Sequence, residues 1–162
     1  MKKFVFFAFC LLFVQGMNAQ KLVVPAIPGN IDKTEYAQYT QDVMNCISWM
    51  KSHSPSDSQQ KDVATFVLWW LSGSPDVHIT LNSEVVKFED GTLLLLLLGG
   101  WAEYAIQSKD DDQVEGCYAG VETALNYYEQ YRKSLPKDKG AEKLLKMRKK
   151  GVLKEYIAKG MK

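Results

Sequence analysis

The chain opens on an unbroken apolar run, Phe4 to Val14. From Ile31 onward the pattern changes, and apolar residues recur every three or four positions with polar ones between them. That spacing is the signature of amphipathic helices. Asp32-Lys33-Thr34-Glu35 has the form of a capping box, an oxygen acceptor followed three residues on by a carboxylate. It predicts a helix from Asp32 with Tyr36, Tyr39, Val43, Cys46, Ile47 and Met50 on one stripe, ending near His53 before Ser54-Pro55-Ser56. A second helix begins in Ser56–Gln59. It carries Val63, Phe66, Val67, Trp70 and Leu71 and stops at Gly73 ahead of Pro75. Residues 76–82 alternate instead, with Val77, Ile79 and Leu81 between polar neighbours. This is period two, read either as a short strand or as an extended connector lying on the core, with room for a helical turn over 83–88. Asp90-Gly91 is a turn.

Six consecutive leucines, Leu93 to Leu98, follow. Leucine favours helix and the run contains no β-branched residue, so a helix over 92–107 is expected, apolar on every face and central to the molecule. Gly99-Gly100 inside it marks a kink or a close backbone approach. After Lys109–Asp112 a long helix carries Val114, Cys117, Tyr118, Val121, Leu125 and Tyr128. Gly116 and Gly120, four apart, give it a smooth stripe for a tightly packed neighbour, and Pro136 bounds it. A short basic helix over 141–150 holds Leu144, Leu145 and Met147. Gly151 punctuates, and Val152, Leu153, Tyr156 and Ile157 anchor a last segment. The expectation is a mainly α protein: one compact bundle of about five helices around a leucine-rich helix, with at most one short extended segment.

The N-terminal run belongs to a different class of feature. Met1-Lys2-Lys3, eleven apolar residues and the polar, smaller-residue end Gln15–Ala19 have the layout of a secretory signal peptide cleaved after Ala19. Eleven residues fall short of the roughly 20 needed to cross a bilayer. Cys10 sits in the middle of the run rather than at its end, so it reads as part of that run and not as a lipid anchor. The organisation is thus a signal peptide over 1–19, an extended lead-in over 20–31 containing Pro25 and Pro28, and a helical domain over 32–162. Export places the protein in the periplasm or outside the cell. No transmembrane segment is expected in the mature chain, because Glu103 interrupts the leucine-rich stretch.

Composition adds little until it is divided. The 162 residues suit one domain, and 46% hydrophobic with 24% charged residues excludes a disordered or low-complexity chain. A formal net charge of +1 argues against nucleic acid as a partner. The charge is unevenly placed, however. Residues 132–162 hold twelve basic and three acidic side chains, whereas 20–131 hold six basic and sixteen acidic. Either the basic helices dock on the acidic body, or they form an anion-binding surface, with Lys143, Lys146, Arg148, Lys149, Lys150 and Lys154 as its candidates.

Candidate chemistry is sparse. Cys46 and Cys117 are an even pair in an exported chain, which admits a disulfide worth about 4 kcal/mol. Both also lie on apolar stripes, where two separate buried thiols are the alternative. The only histidines, His53 and His78, lack a zinc-helix partner at i+4, and no C-x-x-C occurs. Gly73-Ser74-Pro75 lacks the closing glycine of a nucleophile elbow. Asp110–Asp112 is contiguous where a calcium loop alternates its ligands, and Val121 stands where that loop would close with glutamate, so helix capping accounts for it better. Trp49, Trp69, Trp70, Trp101, Tyr127, Tyr128 and Tyr131 read as core rather than as a sugar-stacking platform. No catalytic residue, metal ligand or cofactor is assigned. The expectation is a non-catalytic exported protein that binds a protein, a glycan or an anionic envelope partner. The alternatives are an exported hydrolase with an unrecognised site, built from His53 or His78 with carboxylates or a thiol, and a basic C-terminal segment that tethers the domain to an anionic envelope surface.

Gly73-Ser74-Pro75-Asp76-Val77, Gly99-Gly100-Trp101-Ala102-Glu103-Tyr104-Ala105 and Gly116-Cys117-Tyr118-Ala119-Gly120-Val121-Glu122, with the Ala19-Gln20 junction, resemble a group of small exported helical proteins of Bacteroidetes-type bacteria. The resemblance spans most of the mature chain. It implies export and a helical fold, and it implies no activity, ligand or catalytic residue.

Overall fold

The computed structural model describes residues 21–161; the signal peptide expected over 1–19 lies outside them. A 3-10 helix, Lys33–Tyr39, leads into six α-helices: α1 Thr40–Ser52, α2 Gln60–Gly73, α3 Gly91–Ser108, α4 Gln113–Gln130, α5 Lys139–Lys149 and α6 Leu153–Gly160. There are six helices rather than about five, and the basic C-terminal stretch divides at Gly151, where the sequence placed its break. That glycine takes φ 71°, and the Val152 amide turns back to the Met147 carbonyl at 3.1 Å, closing α5 as left-handed caps do.

The capping box at Asp32 forms in full: its backbone N–H donates to Glu35 Oε2 at 2.7 Å and its side chain accepts from the Thr34 amide. The helix it starts is not the single α-helix expected. The Trp70 indole donates to the Tyr36 carbonyl at 3.0 Å, and the Thr40 amide bonds to the Ala37 carbonyl instead. The first two turns therefore wind tightly before α1 begins.

α3 packs against α1, α2 and α4 and is central, as expected. It is not buried on every face. Successive residues advance by roughly 100°, so six leucines sweep past a full circle. Leu93, Leu96 and Leu97 enter the core, whereas Leu94 stays 37% exposed. The closest helix pairing is α3 with α4, and glycines permit it. A Cβ on Gly120 would overlap the Leu97 carbonyl, one on Gly116 the Trp101 indole, and one on Gly100 the Thr123 side chain. On the other side of α3, Gly99 faces Ile47 of α1. The smooth stripe of α4 and the Gly99-Gly100 step are thus two sides of one close packing.

No strand occurs among the described residues. The period-two segment is the connector alternative, and residues 77–82 run free of helix and turn. Val77 and Ile79 are half-buried while His78 and Thr80 are exposed, so the backbone alternates as an extended chain does. A side chain takes the place of a pairing strand: Gln113 Nε2 donates to the His78 carbonyl at 2.9 Å, and Gln113 Oε1 accepts from the Thr80 amide at 3.1 Å. One helical turn follows, with the Val85 and Val86 amides both on the Asn82 carbonyl at 3.0 Å.

The C-terminal helices are fixed through Asp138, the buried charged residue of the core at 1% exposure. Its Oδ2 accepts from the Glu89 and Asp90 amides at 2.6 and 2.9 Å, and its Oδ1 from the Ala141 amide at 2.8 Å. One carboxylate therefore caps α5 and holds the end of the 74–90 linker. Gly140 lets the strands of chain meet there, since a Cβ would overlap the Lys87 carbonyl.

Candidate functional site

α2 and α3 run side by side in the same direction, which the long 74–90 linker between them allows. Their N-terminal turns, with Gln60, Lys61 and Ala64 opposite Gly91, Thr92 and Leu95, border a hollow of about 530 Å³. Farther along, Leu68 and Leu71 of α2, Leu98 of α3 and the extended segment Val77–Leu81 border an open cleft of about 660 Å³. Leu68 is 52% and Leu81 43% exposed, and Leu94 stands one turn before Leu98 on α3. Scattered exposed leucines need no explanation, but several around one concavity mark a binding surface. Lys33 and His78 line the cleft, and among the described residues no carboxylate does.

The two histidines do not meet. His53 ends α1, where its ring stacks on Trp49 with centroids 4.0 Å apart and its Nδ1–H donates to the Trp49 carbonyl at 2.8 Å. His78 lies on the extended segment, between the cleft and a shallow hollow of about 320 Å³ that it shares with Asp76, Asp110 and Asp111. Asp112 is occupied in capping α4, accepting from the Val114 and Glu115 amides at 2.8 and 3.0 Å. No group of three or more metal-ligating side chains converges among the described residues.

Cys46 and Cys117 are both buried and free, which corrects the disulfide. The reason is positional. They sit on the inner stripes of α1 and α4, where their neighbours Ile47 and Gly120 each face α3, at Gly99 and at Gly100. Burial pushes the Cys46 thiol up to about 12, with Asp42 adding to it, and the Cys117 thiol up to about 11. Neither is a thiolate at neutral pH, so neither offers a nucleophile.

The expected aromatic and basic candidates divide. Trp70, Trp101, Tyr127 and Tyr128 are buried. Tyr127 and Tyr131 donate to the His53 and Ser52 carbonyls at 3.0 and 2.7 Å, so they secure the end of α1. Among the basic residues, Arg148 turns back to α4, where it meets Glu122, Asn126 and Glu129. Lys154 pairs with Glu115 at 2.6 Å. Lys143 donates to the Tyr156 hydroxyl at 2.9 Å. Lys146, Lys149 and Lys150 are exposed and make no ion pair among the described residues.

Of the cleft residues, the sequence named His78 as a candidate and Leu71, Val77, Ile79 and Leu81 by their pattern, but it did not bring them together and did not single out Leu68. Leu68 lies off the apolar stripe of α2 and is 52% exposed. Comparison of the chain with known protein families, curated proteins and solved structures finds no match.

Proposed function

We propose that this is a non-catalytic, exported binding protein that takes its partner in the α2–α3 cleft. The observation that carries the reading is the cleft itself: a concavity of about 660 Å³ edged by Leu68, Leu71, Leu81 and Leu98, of which Leu68 and Leu81 are strongly exposed. Clefts of this size that set apolar side chains beside a few polar ones, here Lys33, Ser72, Ser74, His78 and Thr80, are the usual form of a ligand site. The hydrolase alternative has less support, since both thiols are buried and protonated and the two imidazoles lie apart. Export rests on the N-terminal run and on the resemblance to small exported helical proteins.

Photo-crosslinking tests the cleft. A benzophenone side chain at position 68, compared with one at position 52 on α1, should give an adduct of defined mass only from position 68, and Leu98→Glu should remove it. Equal labelling from both positions would overturn the reading.

A second reading has its own observation. Lys139, Lys143, Lys146 and Lys150 recur at spacings of four, three and four, all exposed along α5 and its C-cap. This stripe supports a tether to an anionic envelope surface, independent of the cleft.

A further inference from the structure

The extended segment 77–82 has two edges, and only one is used. Along an extended chain, successive residues point their N–H and C=O to opposite edges. Gln113 takes the edge of His78 and Thr80. The N–H and C=O groups of Val77, Ile79 and Leu81 have no hydrogen-bond partner among the described residues. These three residues belong to the wall of the cleft. A row of unpaired backbone groups beside apolar side chains is a template for another extended chain.

We propose that the cleft binds an extended, acidic peptide segment of a partner protein, which adds as a strand along Val77–Leu81. The inference rests on the binding reading of the cleft and names what fills it. The peptide main chain pairs with Val77, Ile79 and Leu81. Alternate apolar side chains of the peptide enter among Leu68, Leu71 and Leu98. An acidic side chain on it meets Lys33, which has no ion-pair partner among the described residues and faces no carboxylate across the cleft. A lipid of the same apolar character fills the walls but leaves the backbone row unpaired, which is why a peptide is the better occupant.

The test is selection of a phage-displayed library of eight-residue peptides on the chain from Gln20 onward, followed by measurement of the enriched peptides in solution. The expected result is apolar residues at every second position with at least one acidic residue. N-methylation at alternate positions on one edge of the peptide should weaken binding about tenfold per lost hydrogen bond, and methylation on the other edge should not. Leu81→Pro removes one donor that has no partner in the free protein, and should weaken binding about tenfold relative to Leu81→Ala. Lys33→Glu should weaken it further.

The two readings separate cleanly. If Leu68→Glu abolishes binding but N-methylation has no effect, or if the enriched peptides space their apolar residues by three and four, strand addition is overturned and the cleft stands. If Leu68→Glu has no effect, both fall. Failure to enrich any peptide, displacement of the peptides by lauric acid with no edge dependence, or self-association of the chain that Leu81→Pro removes, would each overturn the peptide as occupant.

Discussion

At Gly120 one hydrogen atom in place of a methyl decides how closely α3 and α4 approach. The atom that a Cβ would strike is the Leu97 carbonyl oxygen, part of a helical backbone that cannot rotate aside. Overpacking of this kind costs about 1–3 kcal/mol, against a gain of about 1 kcal/mol for alanine over glycine in a helix. Gly120→Ala is therefore expected to lower the thermal midpoint by several degrees, at about 2–4 °C per kcal/mol for a chain this long. Gly91→Ala, where nothing lies within 4 Å, should leave it unchanged or slightly raised. The opposite substitution has its own site. Lys109 ends α3 at φ 54°, the left-handed region, where a non-glycine side chain costs about 1–2 kcal/mol. Lys109→Gly should raise the midpoint by a few degrees despite the greater freedom of its unfolded chain. The two thiols supply a third measurement at this scale. In the chain from Gln20 onward, a disulfide-exchange reagent at pH 8 should find Cys46 and Cys117 unreactive while folded and both free after unfolding in guanidinium. A single reactive equivalent, or none after unfolding, would contradict two free buried thiols.

Among the elements, α5 shows how a basic helix is fastened to its neighbours, and its fastening depends on pH. Burial by itself raises the Glu142 carboxyl, but the hydrogen bonds from Tyr128 and Arg132 and the Arg132 charge outweigh it and hold it below the usual 4.5. A depressed folded value means that the stabilisation is fully present above about 4.5 and is lost as pH falls through the lower, folded value. The urea midpoint should therefore fall as pH drops below that point, and Glu142→Gln should flatten that acid limb while lowering the midpoint near neutrality. Glu155, held down by Lys159, adds to the same limb and will remain in the variant. What the sequence displayed of such elements depended on whether the cause was local. The capping box at Asp32, the breaks at Gly73 and Gly151 and the inner stripe of α4 were all legible, since each is set by residues within one or two turns. The 3-10 winding before α1 was not, because it needs the Trp70 indole, 34 residues away, to claim a carbonyl. The connector over 76–82 was legible as extended, but its partner was hidden: Gln113 is a helix residue whose side chain stands in for a strand. Asp138 was likewise invisible as a latch, because two of the three amides it accepts from belong to Glu89 and Asp90. The cleft could not be read for a related reason. It exists only where Leu68 and Leu71 of α2, a linker and one leucine of α3 meet.

For the whole molecule the uneven charge has two fates, and the structure separates them residue by residue. Arg132, Arg148 and Lys154 face acidic partners on α4 or α5, so part of the basic C-terminus is spent on docking. The docking itself rests mainly on Leu144, Leu145, Leu153 and Ile157, all buried, because partly exposed ion pairs contribute little. Lys139, Lys146 and Lys149 on α5 and Lys150 at its C-cap remain exposed and without ion partners among the described residues. Their removal should therefore leave stability almost unaltered while changing the field outside the molecule. The triple variant Lys139→Gln, Lys146→Gln, Lys150→Gln is expected to keep the thermal midpoint within about 2 °C, since exposed substitutions of this kind usually change stability by less than about 0.5 kcal/mol. The parent chain should sediment with vesicles containing an anionic phospholipid at low salt and be released as salt approaches about 0.5 M, where charges are screened within a few ångströms. The triple variant should stay in solution at both. Loss of vesicle binding with an intact fold would assign these three lysines to an anionic surface. Equal binding by parent and variant, or binding indifferent to salt, would leave them as a solvated face, with the docking role held by Arg132, Arg148 and Lys154 on Glu142, Glu122, Glu129 and Glu115.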